Sequence, residues 1–263
     1  MLSVKRIAGV VLRHLRLFDE INRLIWTFYW PLIDMFLFGL TSIWMQQQTP
    51  MNNDLSLSMI MGVVFWQIVN RASVEASVDL LEEIWSLNML NLFATPLRLA
   101  EWIIAIVILA FFLAAIVTIY CSLVVWFLFS SPVLWILAKC FPFLIALFIS
   151  GLWLGFFGCA MITYFGARVQ WIPWMLSALF MPFCSALYPI TILPVWAQKI
   201  AWGIPMTAAF EGIRNTVQTG TVNQFYLVTS LLMALSYCAL SLLLLAYFFD
   251  ASKQRGFARL TAD

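Results

Sequence analysis

Long apolar segments recur along this chain, and they restrict the folds open to it more than any other feature. A helix needs roughly 20 apolar residues to cross a bilayer, and segments of about that length cover residues 24–45, 56–78, 102–129, 134–160, 172–188 and 225–249. Hydrophobic residues make up 64% of the chain and charged residues only 10%, whereas about a quarter of a soluble domain is charged. The sequence therefore predicts an all-α membrane protein with six transmembrane helices, folded as a single transmembrane domain over residues 1–263.

The first 23 residues predict an amphipathic helix at the membrane surface. Apolar side chains recur there at helical spacing, and charged, mostly basic side chains occupy the other side. The apolar positions are Val4, Ile7, Val11, Phe18, Ile21 and Ile25, and the charged positions are Arg6, Arg13, Arg16, Glu20 and Arg23. We therefore expect residues 1–23 to lie along the interface, with the basic face toward headgroups or cytosol. His14, the one histidine of the chain, falls on the apolar stripe and is expected to be a packed residue.

The distribution of Lys and Arg predicts the orientation of the chain. If both termini are cytoplasmic, ten of these residues fall inside and three outside. The ten are Lys5, Arg6, Arg13, Arg16, Arg23, Arg98, Arg168, Lys253, Arg255 and Arg259, and the three are Lys139, Lys199 and Arg214. By the positive-inside rule, both termini are cytoplasmic, and residues 250–263 form a cytoplasmic tail.

Residues 79–100, which this orientation places in the cytoplasm, connect two spans and contain a short apolar helix. Five large apolar residues on that helix cannot all face the chain's own spans: Leu87, Met89, Leu90, Leu92 and Phe93. Pro96 ends the helix, because its ring cannot continue the hydrogen-bond ladder. Such a helix either docks in a groove of a partner, with Glu82 and Glu83 orienting it, or rests on lipid headgroups.

The section between the fifth and sixth spans is too apolar for an ordinary loop, yet Pro189, Pro194 and Pro205 prevent one continuous helix. In a bilayer, such broken backbone is tolerated only where protein covers it or where it lines a cavity. We expect two short half-inserted helices at about 194–203 and 206–216. The alternative is an extra hairpin of ordinary spans, although neither piece reaches the length needed to cross.

Three ionisable residues lie inside predicted spans, where a charge costs about 2.5 to 3.5 kcal/mol on insertion scales. Asp34 is in the first span, and Arg71 and Glu75 are in the second. Arg71 and Glu75 are four residues apart, so they share a helix face and can pair. Asp34 completes a cluster if the two spans are neighbours. These groups either line a path or latch a closed state, or they form a structural ion pair near the cytoplasmic interface.

A resemblance to a known family is carried by the amphipathic start before the first span and by two other stretches. One is LLEEIWSLNMLNLFATPLRLAE, and the other is YPITILPVWAQKIAWGIPMTAAFEGIR. The first resembles an acid-rich segment with a Leu-rich helix and Thr/Ser-Pro that is found in one group of membrane proteins. The second resembles that group's series of Tyr-Pro, Leu-Pro, Trp, Asn-Pro, Glu and Arg. That group is the type-two ABC permease family, the membrane subunits of ABC exporters for polysaccharides, lipids and drugs. Ile204 stands where the family usually has Asn, and the amphipathic start is similar to the family's.

The resemblance implies a role for each segment. Residues 82–96 would form the coupling helix that docks in a cleft of a separate ABC ATPase subunit, with a smaller contact near residues 165–170. The docking residues would be Glu82, Glu83, Leu87, Leu90, Leu92, Phe93, Thr95 and Pro96. Residues 189–216 would be a re-entrant cap on the outer side, with gate residues Tyr188, Pro189, Leu193, Pro194, Trp196, Pro205, Glu211 and Arg214. The assembly would be a homodimer of this chain with two ATPase subunits in a bacterial inner membrane.

The motifs of an enzyme or a nucleotide site are missing from the sequence. No G-x-x-x-x-G-K-[ST] loop is present to hold phosphates, so ATP and Mg would bind in the partner subunit. The five cysteines lie in apolar stretches without a CxxC pair, so neither a metal site nor a cofactor is predicted. A net charge of +2 does not indicate nucleic acid. The alternative functions are an ion-driven carrier or channel, or a membrane-embedded enzyme, and candidate substrates are a lipid-linked glycan, a free lipid or a hydrophobic small molecule.

Overall fold

Helices account for nearly all of the structure, a computed structural model that describes residues 2–17, 21–48, 53–86, 88–129 and 133–255. These residues form α-helices and two short 3₁₀ turns, Gly166–Val169 and Ile190–Ile192. The α-helices are α1 (Val4–Leu17), α2 (Ile21–Gln48), α3 (Asn53–Trp85), α4 (Met89–Ala94), α5 (Leu99–Phe129), α6 (Val133–Lys139), α7 (Phe141–Phe165), α8 (Ile172–Phe180), α9 (Val195–Trp202), α10 (Pro205–Thr219) and α11 (Gln224–Arg255).

Five helices of the described part of the chain are long and apolar enough to cross a membrane. They are α2, α3, α5, α7 and α11, with candidate spans Leu24–Gln47, Leu57–Trp85, Leu99–Phe129, Phe141–Val169 and Gln224–Gln254. The predicted fourth span begins later than expected, because the chain breaks at Cys140 between α6 and α7. Proline is tolerated in the first turn of a helix, and Pro142 lies there in α7.

The predicted span at 172–188 is not one long helix. Its helical part, α8, has nine residues and ends at Phe180, so it is about 14 Å long, half the thickness of a hydrocarbon core. Residues 181–188 form turns, where Pro182 has no amide hydrogen to donate and Ser185 takes a positive φ of 61°. The count of six transmembrane helices is therefore not confirmed, and five is the number that the described residues support.

The helices α3 and α7 form the centre of the molecule. In the most apolar 18-residue stretch of each of these two helices, 67% of the residues are buried. The corresponding share is 22% in α2 and 17% in α11. The two central backbones approach closely at Gly151 and Gly155 of α7, which are spaced as in the GxxxG pattern of membrane helix pairs. A Cβ atom on Gly151 would lie 2.6 Å from the Val69 carbonyl oxygen, and one on Gly155 would lie 2.8 Å from the Cβ of Ala76.

The length of α3 separates two polar clusters. Near its start, Ser58 contacts α10, and near its end, Asp79 faces α1. The two residues are 21 positions apart, which corresponds to about 32 Å of helix at 1.5 Å per residue, the thickness of a hydrocarbon core. We call the end that holds α1 and α4 the α1 end, and the opposite end the α10 end.

Candidate functional site

The predicted connection at 79–100 begins later than the sequence indicated, because α3 continues to Trp85. Residues 79–85 are therefore the last turns of α3, and α4 is the short helix of the connection. It ends at Ala94, and Thr95 takes an extended conformation with φ −74° and ψ 165°. This is the conformation that the ring of Pro96 imposes on the residue before it.

Part of the predicted docking surface faces the chain's own core. Met89 is only 4% exposed and packs against buried residues of α3 and α5, and Leu92 is half-buried against the same cluster. Glu82 is also half-buried, whereas Thr95 and Pro96 are exposed. The exposed face of this segment is therefore polar in part, and α4 is anchored by its apolar side.

Three predicted docking positions are only partly placed. Leu87 lies outside the described residues. Leu90 and Phe93 belong to α4, and their side chains lie outside what the structure describes. Asn91, between them, is exposed, as expected for a helix with one free face.

Glu83 joins the end of α3 to the amphipathic helix α1. Its side chain is 2% exposed, and its Oε2 atom accepts hydrogen bonds from Arg13 Nη2 at 2.9 Å and from Asn88 Nδ2 at 2.7 Å. Asn88 directly precedes α4, so one carboxylate ties α1, α3 and α4 together. Arg13 was expected to face headgroups or cytosol, and the structure instead directs its guanidinium to this buried acid.

Glu101 makes a second junction with α1, on the other side of α4. Arg6 Nη2 lies 2.7 Å from Glu101 Oε1, and Arg6 Nη1 donates to the Pro96 carbonyl oxygen at 2.5 Å. Backbone amides of Ser3 and Arg98 donate to the same carboxylate at 2.8 Å and 3.0 Å. Together, the two junctions fasten α1 to both ends of the segment that carries α4.

His14 is buried, as expected for a packed residue, with 1% of its surface exposed. Its Nδ1 atom lies 2.9 Å from the Val10 carbonyl oxygen, and this nitrogen carries the hydrogen because a carbonyl can only accept. Its Nε2 atom faces Asp79 Oδ1 at 3.9 Å. A second polar contact between α1 and α3 thus lies one turn of α3 from the Arg13 junction.

The second predicted contact, near residues 165–170, lies beside the end of α3. The indole Nε1 of Trp85 donates to Gln170 Oε1 at 3.2 Å. Phe165, Trp85 and Trp171 are all exposed. The segment after α7 and the segment before α4 therefore form one continuous surface at the α1 end.

At the α10 end, Arg214 is the centre of a buried polar network. It is 7% exposed and donates to Ser58 Oγ at 2.7 Å, to the Ser185 carbonyl oxygen at 3.0 Å and to Glu211 Oε1 at 2.8 Å. Glu211 also accepts hydrogen bonds from the Ile190 amide at 2.8 Å and from the Ser185 hydroxyl. Burial lowers the pKa of the Arg214 guanidinium, and the Glu211 carboxylate opposes that shift. The network binds the turns after α8 and helix α10 to the start of α3.

The remaining predicted gate residues shape the backbone around this network. The Tyr188 hydroxyl donates to the Pro182 carbonyl oxygen at 2.6 Å, and the Leu193 carbonyl oxygen accepts from Gln198 Nε2 at 2.7 Å. Trp196 is 62% exposed. The three prolines stand at turns or helix starts: Pro189 before the 3₁₀ turn, Pro194 before α9 and Pro205 at the start of α10. The two short helices lie close to the positions expected from the sequence.

Polar groups also meet about halfway along α3. Gln67 Nε2 donates to Asp34 Oδ2 at 3.0 Å, which joins α3 to α2. Arg71 Nη2 donates to two backbone carbonyl oxygens of α2, those of Trp26 at 3.1 Å and Thr27 at 3.0 Å. Glu75 is 4% exposed, one turn further along α3. Asp34 and Arg71 therefore lie between the same two helices, as expected for neighbouring spans.

Sequence reasoning missed the partners of these groups. Gln67 had a signal, since a polar side chain inside an apolar span is costly without a partner. Glu101 also had one, because acids are favoured in the first turn of a helix such as α5. No sequence pattern indicated the contacts of Ser185 and Ser58, because these residues lie 29 and 156 positions from Arg214.

Comparison with known proteins agrees with this architecture. The profile of the family described as ABC-2 type transporter matches residues 14–217. Those residues include the last four residues of α1, the α4 segment, the polar contacts of Asp34 and Arg71, and the whole Arg214 network. A search of curated proteins finds no significant match.

Proposed function

The chain belongs to the ABC-2 type transporter family, and on that premise we propose that it is the membrane-spanning permease subunit of an ATP-driven exporter. It works as a homodimer in a bacterial inner membrane, with both termini in the cytoplasm. ATP and Mg bind in a separate ABC ATPase subunit, so this chain is not itself the enzyme. Six crossings, with α8 and the turns after it as the fifth, belong to the same proposal.

One observation supports the docking role more than the others. The segment 82–96 is fastened at both ends, by Glu83 to Arg13 and by the Arg6 contacts with Glu101 and Pro96. A helix that merely rests on headgroups needs no such attachment, whereas a helix that transmits a push must be joined to the spans it moves. These junctions join the segment 82–96 to α1 and α5. Trp85, the last residue of α3, also joins this segment to Gln170, after α7.

The α10 end supplies the other half of the proposed mechanism. The Arg214 network holds residues 189–216 against the start of α3, about 32 Å from the α1 end. A shift of α3 that begins at α4 therefore reaches this cap through one continuous helix. We propose that residues 188–214 act as the outer gate, which opens when the start of α3 moves away from Arg214.

Co-purification with an ATPase tests the docking role. The double variant Leu90→Asp, Phe93→Asp is expected to reach the membrane at normal yield but to lose its ATPase partner, because two charges on α4 disfavour entry into an apolar cleft. The matched control is Val195→Asp, an exposed apolar residue on α9 at the α10 end, which is expected to retain the partner. Normal recovery of the ATPase with the double variant contradicts the docking role.

The alternative of an ion-driven carrier or channel is favoured by one observation, the Asp34–Gln67 pair between two spans. Ionisable groups inside a membrane often mark an ion path. Proteoliposomes with the chain alone distinguish the two functions. A carrier moves ions or substrate down an imposed gradient without a second protein, whereas the permease transports only when its ATPase and ATP are present.

A further inference from the structure

Helix α2 contains a proline in its middle, and the backbone must compensate for it. Pro31 has no amide hydrogen, so the Thr27 carbonyl oxygen loses the donor that would come from four residues further along. In the hydrocarbon region no water replaces that donor. The structure supplies it from another helix: Arg71 Nη2 donates to the Thr27 oxygen at 3.0 Å and to the Trp26 oxygen at 3.1 Å.

The guanidinium geometry suits this task. One terminal nitrogen carries two hydrogens, so it can serve both carbonyls at once. A charged donor also makes a stronger hydrogen bond than a neutral one. Arg71 thus satisfies a backbone group that the sequence of α2 leaves without a helical donor, the Thr27 carbonyl oxygen.

The two parts of α2 are held differently. Beyond Pro31, Met35 is 2% exposed, Asp34 bonds to Gln67, and a Cβ on Gly39 would lie 2.2 Å from the Phe129 ring. This part is fixed to its neighbours at these three points, although side chains on its outer face, such as Leu37 and Trp44, are 58% and 59% exposed.

Before Pro31, Thr27 is the one buried residue among residues 24–30, whereas four residues between 31 and 42 are buried. Trp26, Tyr29 and Trp30 are 61%, 53% and 48% exposed. This part is held by the Arg71 bonds and by an edge contact between the rings of Phe28 and Tyr120, with centroids 5.1 Å apart.

We propose that Arg71 is a releasable lock on a proline hinge in α2. While the guanidinium holds the Thr27 and Trp26 carbonyls, residues 24–30 stay against α3. When it leaves them, that part of the span bends away at Pro31 while the rest stays packed. The hinge opens the path at the α1 end without moving the part of the span beyond Pro31.

Hydrogen exchange on the chain alone in lipid nanodiscs tests the lock, and it requires no ATPase, so its result is independent of the proposed permease function. Arg71→Met is expected to raise amide exchange in residues 24–34 about tenfold, because the Thr27 carbonyl oxygen loses the charged donor that replaces its helical one. Residues 36–44 of the same helix are the internal control and stay unchanged. Pro31→Ala restores the missing amide hydrogen, so adding Arg71→Met to it is expected to raise exchange less than twofold.

Two outcomes overturn the lock: no change in exchange with Arg71→Met, or an equal increase with and without Pro31. If Arg71→Met does not fold, the same comparison is made with Arg71→Lys. Its single ammonium still reaches one carbonyl, so about a threefold increase is expected in the Pro31 background only.

A distance measurement separates a releasable lock from a fixed brace. Spin labels are placed on Tyr29→Cys and Phe165→Cys, both exposed positions, with the half-buried Cys238 replaced by Ser. We expect Arg71→Met to shift the label distance to a longer population, and Pro31→Ala to give one short distance. Identical distance distributions in the wild type and in Arg71→Met contradict the hinge.

Discussion

Replacing Arg214 tests how the cap at the α10 end is held. Arg214→Met keeps the approximate size of the side chain but removes the donors to Ser58, Ser185 and Glu211. Breaking a buried ion pair by removing one partner costs about 3 to 5 kcal/mol. Glu211 keeps its bonds from the Ile190 amide and the Ser185 hydroxyl, so we expect the lower part of that range, about 3 kcal/mol.

For a chain of this length, such a loss lowers the melting temperature by about 6 to 12 °C. Tryptophan fluorescence of the chain in nanodiscs measures it, because the chain has 13 Trp residues. Ser58→Ala removes a single partner and is expected to cost about 1 kcal/mol. Arg214→Lys keeps the charge and is expected to fall between the two. A melting temperature of Arg214→Met equal to that of the wild type refutes the reasoning that this network holds the cap.

Two further predictions concern α3 and α1. Gly62→Ala is expected to destabilise the chain by about 1 to 3 kcal/mol in a melting assay, since its Cβ would lie 1.8 Å from the Ala186 carbonyl oxygen. The control is Gly9→Ala, where a Cβ meets nothing within 4 Å. This control is expected to be neutral or stabilising in the same assay. Glu83→Gln keeps the shape of the side chain but removes the charge that binds Arg13, so amide exchange in α1 is expected to rise while exchange in α7 stays constant. Unchanged exchange in α1 would show that this junction does not hold the helix.

Much of the fold follows from local properties of the sequence. The helix α1 was predicted as an amphipathic segment and is a helix from Val4 to Leu17, because its spacing of apolar and basic residues has a helical period. The breaks at Pro194 and Pro205 were predicted because proline cannot continue a helix. Sequence analysis misplaced the end of α3 and the break after α8. At the end of α3, composition does not show where the helix stops, because polar residues such as Asp79 and Glu83 are buried by α1.

The sequence by itself determined that the chain is built of membrane helices, since in hydrocarbon every backbone group must bond within its own segment. It also determined that prolines interrupt the section between the fifth predicted span and the last. Only the tertiary structure decided the partners: Arg71 with the Thr27 carbonyl that Pro31 leaves without a helical donor, Glu83 with Arg13, and Arg214 with Ser58. These contacts join residues 44, 70 and 156 positions apart. Which charged group meets which depends on how α3 packs against its neighbours, and no local pattern carries that information.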